Sequence, residues 1–308
     1  MRVTLIHNPG AGKKGKKNGE QLVELLEDAG HKVRYQSSKD DGWKKALKKP
    51  ADLVAVAGGD GTVARVARRM ADRGIPVAAL PSGTANNISR SLGLVERPFE
   101  ELVRGWAEAR RVKLDVGVAQ GPWGERYFVE GIGTGLFARL LASRSGERIK
   151  KSKTKTPKEK VDSALRRLKT RAQRMKPLEI DASLDGRDIS GRYLMVEAVS
   201  IPYVGPNLFL APDSKPGDGH LDVVLVREAE RARLVHYLEH WQSNRQRLAV
   251  LPSLRGRHLR MQWTGFEVHI DDKLKPDEDE EPKESAGSID ARINGHAVEF
   301  LVPQATKR

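Results

Sequence analysis

Three glycine-containing blocks in the first ninety residues carry the chemistry that can be read from this sequence. The strongest is Gly58-Gly59-Asp60-Gly61-Thr62, which ends the apolar run Leu53-Val54-Ala55-Val56-Ala57 and precedes a helical pattern with Val63, Val66, Ala67 and Met70. Glycines at the C-terminal end of a buried strand leave the backbone bare enough for a polyphosphate to approach. The N–H groups of the following helix start then point at it. A tight turn explains one or two of these glycines but not the run. Because a carboxylate repels phosphate, Asp60 is expected to organise Mg²⁺ and water, with Thr62 offering a hydroxyl.

Two other glycine matches fail where the chemistry resides. Gly10-Ala11-Gly12-Lys13-Lys14-Gly15 fits a dinucleotide fingerprint in form, but the second strand ends at Gln36-Ser37, with no acid to hold a ribose. Gly10 through Lys16 nearly spells a P-loop, but Lys17 replaces the hydroxyl residue that would ligate magnesium.

The elements that must position these blocks alternate strand, glycine turn and helix. Val3–His7, Lys32–Gln36, Leu53–Ala57 and Ile75–Leu80 read as strands, and Leu22, Val23, Leu25 and Leu26 lie on a helix ended by Gly30. That alternation predicts a doubly wound α/β domain over residues 1–114, its loops gathered at one sheet edge. From residue 115 to 303 the pattern becomes mainly antiparallel. Strand-like segments at Val116–Ala119, Arg126–Val129, Leu178–Leu184, Tyr193–Ser200, Leu221–Val226, His258–Trp263 and Phe266–Ile270 predict a β-sandwich, with Ala297–Val302 closing the set and a helix over Arg231–Gln246. Asp277–Glu284 reads as a solvated acidic loop, and Trp241 and Trp263 as core.

In order along the chain, Asn8-Pro9-Gly10-Ala11-Gly12, the Gly58–Thr62 block, Leu80-Pro81-Ser82-Gly83-Thr84-Ala85-Asn86-Asn87 and Pro216-Gly217-Asp218-Gly219-His220-Leu221-Asp222 resemble the diacylglycerol-kinase-like lipid kinases. That family includes bacterial diacylglycerol kinases and sphingosine kinases. NAD kinases share a motif related to the Gly58–Thr62 block; the Pro81–Asn86 block favours the lipid-kinase branch. The resemblance implies ATP bound between two domains, with transfer of its γ-phosphoryl group to a lipid hydroxyl in phospholipid metabolism. By position it implies a nucleotide site of Asn8, Ser38 (where the family usually has Thr), Gly58, Gly59, Asp60, Gly61, Thr62, Gly83, Thr84 and Asn86. It also implies a structural Mg²⁺ held around Lys215, Asp218 and His220. Phosphoryl transfer needs positioning and charge neutralisation more than covalent help, which suits such a site.

The family's proposed general base is a Glu on a late strand. Its best positional match is Asp271-Asp272-Lys273, which puts Lys273 in the catalytic position beside Asp271. An ammonium accepts a proton only when deep desolvation lowers its pKa. A second register offers Asn294-Gly295-His296, with His296 as the base. Glu130 stands where the family commonly has Asn, and Arg65 where it has Glu. The other histidines show no ligand grouping; His236 and His240 lie one helical turn apart without a third ligand.

Charge is concentrated. The chain carries a net +14, yet Arg144 to Lys176 holds 14 Lys/Arg against three acids. This basic insertion, at about 144–176, opens with the Lys/Ser/Thr-rich Lys150–Thr156. The helix after Pro157 bears one apolar stripe of Val161, Leu165, Leu168, Ala172 and Met175. Two readings stand: a helix lying on an anionic membrane surface, or one packing its stripe on the second domain. Nucleic-acid binding is not expected, since the segment has no aromatic residue for base stacking. Cysteine is absent, which excludes disulfides and thiolate chemistry, and no apolar run approaches a membrane span. The expectation is a cytoplasmic, peripherally membrane-associated enzyme; a homodimer stays open. The alternatives are a nucleotide- or lipid-binding pseudokinase lacking its base, and an NAD-kinase-like enzyme.

Overall fold

Val3, Leu5 and Ile6 are fully buried, and every residue of the runs at Leu53–Gly58 and Val77–Pro81 is buried, as strands covered on both faces require. The computed structural model describes residues 1–11, 17–146 (without the side chains of 144–146), 156–241, 250–277 and 286–304. In it β1 (Arg2–His7), β2 (Lys32–Ser37), β3 (Leu53–Gly58) and β4 (Val77–Pro81) are parallel, in the order β2-β1-β3-β4. Between and after them run α1 (Gly19–Asp28), α2 (Trp43–Ala46), α3 (Asp60–Met70), α4 (Asn87–Ser91) and α5 (Phe99–Arg104), and then the edge strand β5 (Arg110–Asp115). Asn18 and Gln21 close a capping box on α1, satisfying two backbone donors at its start.

One strand is not where the sequence pattern placed it. Ala297–Val302, expected to close the second domain's set, is β21. It sits in the first sheet between β4 and β5, antiparallel to β5 along its whole length and parallel to β4 at Phe300 and Val77. Apolar alternation reports that a segment has a buried face; it does not report which edge that face completes. The chain accordingly divides into one compact unit of Met1–Val116 with His296–Arg308, and another of Gly117–Gly295.

The second unit is antiparallel throughout. One sheet runs β11 (Arg187–Asp188), β10 (Ala182–Leu184), β17 (His258–Trp263), β20 (Gly287–Arg292), β6 (Gly117–Gly121), β7 (Gly124–Phe128). The other runs β16 (Ser253–Gly256), β15 (Leu221–Arg227), β12 (Gly191–Val199), β8 (Gly131–Gly135), β18 (Val268–Ile270), β19 (Lys273–Lys275), with β9 (Leu178–Ile180) paired to β12. A two-stranded ribbon, β13 (Tyr203–Val204) with β14 (Leu208–Phe209), stands apart. Phe128, Leu259 and Ile289 from the first sheet meet Ile132, Val196 and Val223 from the second in one core, which makes a sandwich.

The outer face of the second sheet is covered by α6 (Leu136–Gly146), α7 (Pro157–Arg174) and α8 (Arg231–His240). Thr156 and Glu159 form the capping box that starts α7, with Pro157 in its first turn. Its stripe of Val161, Leu165, Leu168, Ala172 and Met175 is buried in the same cluster as Leu194, Val224 and Val226. Packing therefore takes the stripe, and Arg166, Arg167 and Arg174 are among the α7 residues left exposed. Trp241 and Trp263 are buried, as read. The expected helical stretch beyond Trp241 (242–246), the lead 150–155 and most of the acidic loop (278–284) lie outside the described residues. Among the described residues no helix is long and apolar enough to cross a membrane.

Because β21 fills the first sheet from the far end of the chain, a protein ended after Gly295 is expected to lose the cooperative melt of its first unit. Phe300→Ala, at a fully buried side chain, should cost about 3–5 kcal/mol. Differential scanning calorimetry reads both; a truncated chain with an unchanged profile would refute the dependence.

Candidate active site

The strand register gathers the glycine blocks at one edge of the first sheet. His7 lies opposite both Ser37 and Ala57, and Gly58 opposite Pro81, so the chain leaves β1, β2, β3 and β4 side by side. Asn8 Nδ2 donates to Thr62 Oγ1 at 3.0 Å, its backbone N–H to Ala57 O at 2.8 Å, and its Oδ1 accepts from Gly10 N at 3.0 Å. Ser82 N donates to Gly58 O at 2.9 Å. Asn86, in the left-handed region at φ 55°, accepts from Gly83 N at 2.9 Å and donates back to Gly83 O at 3.2 Å. Gly59 and Gly83 touch backbone to backbone: a Cβ on Gly83 would lie 2.4 Å from Gly59 Cα.

This edge has the properties a nucleotide's phosphates need. Gly59 opens α3 without a side-chain cap, leaving the helix start to an anionic ligand. The hydroxyls of Ser38 and Ser82 are buried with no hydrogen-bond partner among the described residues, although buried polar groups are normally satisfied. Thr84 is exposed on the same loop. Of the decoy stretch, 12–16 lies outside the described residues. Arg65, where the family has Glu, donates from Nε to Gly61 O at 3.1 Å and so braces the first turn of α3.

Asp60 does something other than what its setting suggested. Its Oδ1 accepts from Ile88 N at 3.1 Å, and the amides of Asn86 and Asn87 also bond the carboxylate. The side chain thus caps the start of α4 and ties the turn after β3 to the loop after β4. Burial pushes its pKa up to about 6 against these amide bonds, which favour the ionised form. Sequence gives no signal for this role, because the amides it meets are 26 to 28 residues away.

In the second unit the hairpin β18–β19 turns at Asp271-Asp272. Asp271, at φ 49°, is buried; its Oδ1 accepts from Val129 N at 3.0 Å, Glu130 N at 2.8 Å and Gly131 N at 3.3 Å. That carboxylate is a backbone clamp. Behind it, His269 Nδ1 donates to Asp271 O at 2.9 Å, and Nε2 lies 2.8 Å from Glu197 Oε2, both side chains fully buried. A carbonyl only accepts, so Nδ1 carries the hydrogen, and the bond to Glu197 must hold a second proton on one side or the other. Burial raises the Glu197 pKa. For His269 burial works the other way, yet Glu197 and Asp271 together outweigh it and the pKa is raised. A Cβ at Gly133 would fall 2.3 Å from Glu197 Cδ, so glycine alone leaves room for the pair.

Lys273 is exposed, without the burial that base catalysis by an amine requires. His296 does not rescue the second register. It belongs to the first unit, with Nδ1 2.5 Å from Asp72 Oδ2 just beyond the end of α3. Because Phe300 pairs with Val77, the first residue of β4, His296 lies at the sheet edge opposite the glycine loops. Nor does the segment around Lys215, Asp218 and His220 suit a divalent ion. Asp218 Oδ2 is 2.5 Å from Arg255 Nη2, its Oδ1 accepts from His220 N at 3.1 Å, and its own N–H donates to Lys215 O at 3.3 Å. A guanidinium already supplies the positive charge. Arg255 is directly across from Asp222, whose carboxyl burial raises and Ser214 and Arg255 pull back down. Among the described residues no three His, Asp or Glu side chains converge as a metal site, the neighbouring His236 and His240 included.

Residues 2–119 match the family model described as the diacylglycerol kinase catalytic domain. Residues 145–283 match the YegS C-terminal NAD kinase beta sandwich-like domain. The chain belongs to the diacylglycerol-kinase-like family. Among relatives, the diacylglycerol kinase of Bacillus subtilis is 26% identical over 270 residues, covering 84% of this chain and 80% of its own. That of Mycobacterium tuberculosis is 24% identical over 289 residues, 88% of each. The crystal structure of a diacylglycerol kinase from Bacillus anthracis superposes with a TM-score of 0.66 at 19% identity, over 98% of this chain and 96% of that one. Yeast NADH kinase complexed with NADH superposes at 0.52 and 12% identity, over 99% and 84%. At such identities the superpositions establish the fold: an α/β domain with a β-sandwich. Diacylglycerol-kinase-like membership makes the chain a phosphotransferase by class.

Two predictions follow from departures within this family framework. Asp60 titrates in the folded chain above the 3.8 of an unperturbed Asp, so the folded state binds the extra proton and stability falls as pH rises from about 4 to about 6. Asp60→Asn keeps an acceptor for Ile88 and is expected to melt no lower than the parent at pH 7.5. Asp60→Ala leaves the amides unpaired and should cost about 1–3 kcal/mol. Melting curves at pH 4, 5 and 7.5 decide it. Secondly, a chelator is expected to leave the parent's melting temperature unchanged, whereas Arg255→Ala lowers it; a chelator-induced drop would restore the structural metal.

Proposed function

We propose that this chain is an ATP-dependent lipid kinase, transferring the γ-phosphoryl group of ATP to the hydroxyl of diacylglycerol or a closely related lipid. One observation carries the reading: Asn8, Ser38, Gly58–Thr62 and Ser82–Asn86 converge on a single sheet edge, with bare glycine backbone and two unpartnered buried hydroxyls. The relatives named diacylglycerol kinase supply the acceptor class. In this reading Asn8, Thr62 and Gly59 hold the phosphates, while Asp60 holds the loops that hold the nucleotide. ATP brings its own Mg²⁺, which neutralises the transferring group. The exposed cationic residues of α7 face an anionic membrane surface, each contributing on the order of 1 kcal/mol near it.

The acceptor's proton needs a base. With Asp271 bonded to amides and Lys273 not a carboxylate, Asp272 is the remaining carboxylate of the hairpin turn, and it is exposed. Asp272→Asn is expected to lower kcat about 10²–10⁴-fold with the KM for ATP little changed. Lys273→Glu, which adds a second carboxylate, should raise turnover. Labelled ATP offered with a lipid panel and a soluble dinucleotide tests the whole reading: label in diacylglycerol supports it, and label in the dinucleotide alone sinks it. The second reading, a pseudokinase, is favoured by Lys273 and by the engaged Asp271. It requires that ATP bind and that no lipid in the panel take up label.

A further inference from the structure

The cationic face of α7 is not a flat surface. Where α6 and α7 run side by side, they enclose a groove of about 880 Å³ lined by Arg139, Arg166, Arg167, Arg171 and Arg174. Glu267, at its rim, is the one acid in the lining, 3.8 Å from Arg139 Nε. Arg139 is also fixed at its other end, donating from Nη1 to Lys176 O at 2.8 Å. The four arginines of α7 have no carboxylate partner among the described residues. Other arginines of this unit do: Arg192 pairs with Glu228, Arg255 with Asp218 and Arg260 with Asp290.

Fold stability does not explain that concentration. The packing of α7 is done by the opposite, apolar face. Arg167 with Arg171, and Arg171 with Arg174, stand at i,i+4 and i,i+3, where like charges destabilise a helix by about 0.2–0.5 kcal/mol a pair. The residue type is informative as well. Lysines occur on α7, but Lys158 and Lys160 stand on its first turn and Lys169 pairs with Glu239 at 2.5 Å. All five cations lining the groove are guanidinium groups, whose planar forks match phosphate oxygens two at a time; a diffuse field would be served equally by ammonium. The hydroxyl of Thr170 adds a neutral donor, and Leu140 and Met175 give the groove an apolar floor.

We propose that the groove between α6 and α7 is a binding site for a phosphate monoester carried on an apolar body, its phosphate gripped by Arg167, Arg171 and Arg174 with Arg139 opposite. The assignment stands on the groove alone and does not depend on the kinase reading.

The test is calorimetric titration of the full chain at 150 mM salt with three probes: dihexanoyl phosphatidate, inorganic phosphate and dihexanoyl phosphatidylcholine. Saturable one-to-one binding of phosphatidate is expected, with none of the phosphatidylcholine. Phosphate much weaker than phosphatidate assigns the site to a lipid phosphate; equal affinity assigns it to phosphate alone. The double variant Arg167→Gln, Arg171→Gln should weaken binding at least 30-fold. Lys158→Gln with Lys160→Gln, which removes the same charge outside the groove, should change it less than threefold. Arg171→Lys keeps fold and charge and loses the fork, and should weaken binding about fivefold or more. Equal effects of the two double variants, an unaffected Arg171→Lys, or the absence of saturable binding would overturn the proposal.

Discussion

The contact of Gly59 with Gly83 governs the layout of the first unit. A side chain on either glycine would force the turn after β3 away from the loop after β4. Once the two backbones touch, Asp60 is delivered to the amides of Asn86 to Ile88, and Asn86 can close its own loop against Gly83. The same approach sets Thr62 where Asn8 reaches it. The bonds of Asp60 and of Asn8 join segments that follow different strands, so the loop edge is a cross-braced floor. Its stiffness comes from hydrogen bonds within that edge, which leaves the Ser38 and Ser82 hydroxyls without a partner among the described residues.

How much of this the sequence disclosed depends on the range of the interaction. Strand, glycine turn and helix are local patterns, and the first four strands fell where the apolar runs were. The helix after Pro157 and its stripe were equally legible, since a proline start and period 3.6 act within a few residues. What the stripe would meet was not legible, because lipid and a sheet face are both apolar. The partner of Ala297–Val302 was hidden for the same reason. The candidate site divided along this line. Glycines announce bare backbone wherever they stand, but Asp60, Asp271 and Asp218 looked like free carboxylates until their partners, an amide trio or a guanidinium far along the chain, came beside them.

Carboxylate charge is handled in three distinct ways in the second unit. Asp271 spends its charge on backbone amides, Asp218 on a neighbouring guanidinium, and Glu197 shares a proton with His269. The first two keep an ion by pairing it; the third keeps the pair neutral as a whole, whichever partner holds the proton. All three secure loops of the second unit: the hairpin turn at Asp271-Asp272, the segment from Lys215 to Leu221, and the start of β8. The arginines of α7 are the exception, charges left uncompensated on a helix whose other face is fully used.

The place of β21 bears on how the protein is made. A ribosome delivers the chain from its N-terminus, and the contiguous unit of Gly117–Gly295 is synthesised whole before β21 emerges. At ordinary elongation rates β4, apolar along its whole length, waits on the order of tens of seconds for its neighbour. An open apolar strand edge is a template for wrong partners during that interval. Nascent chains of this protein therefore carry their greatest aggregation hazard in the half that is made first, and slower translation lengthens the exposure.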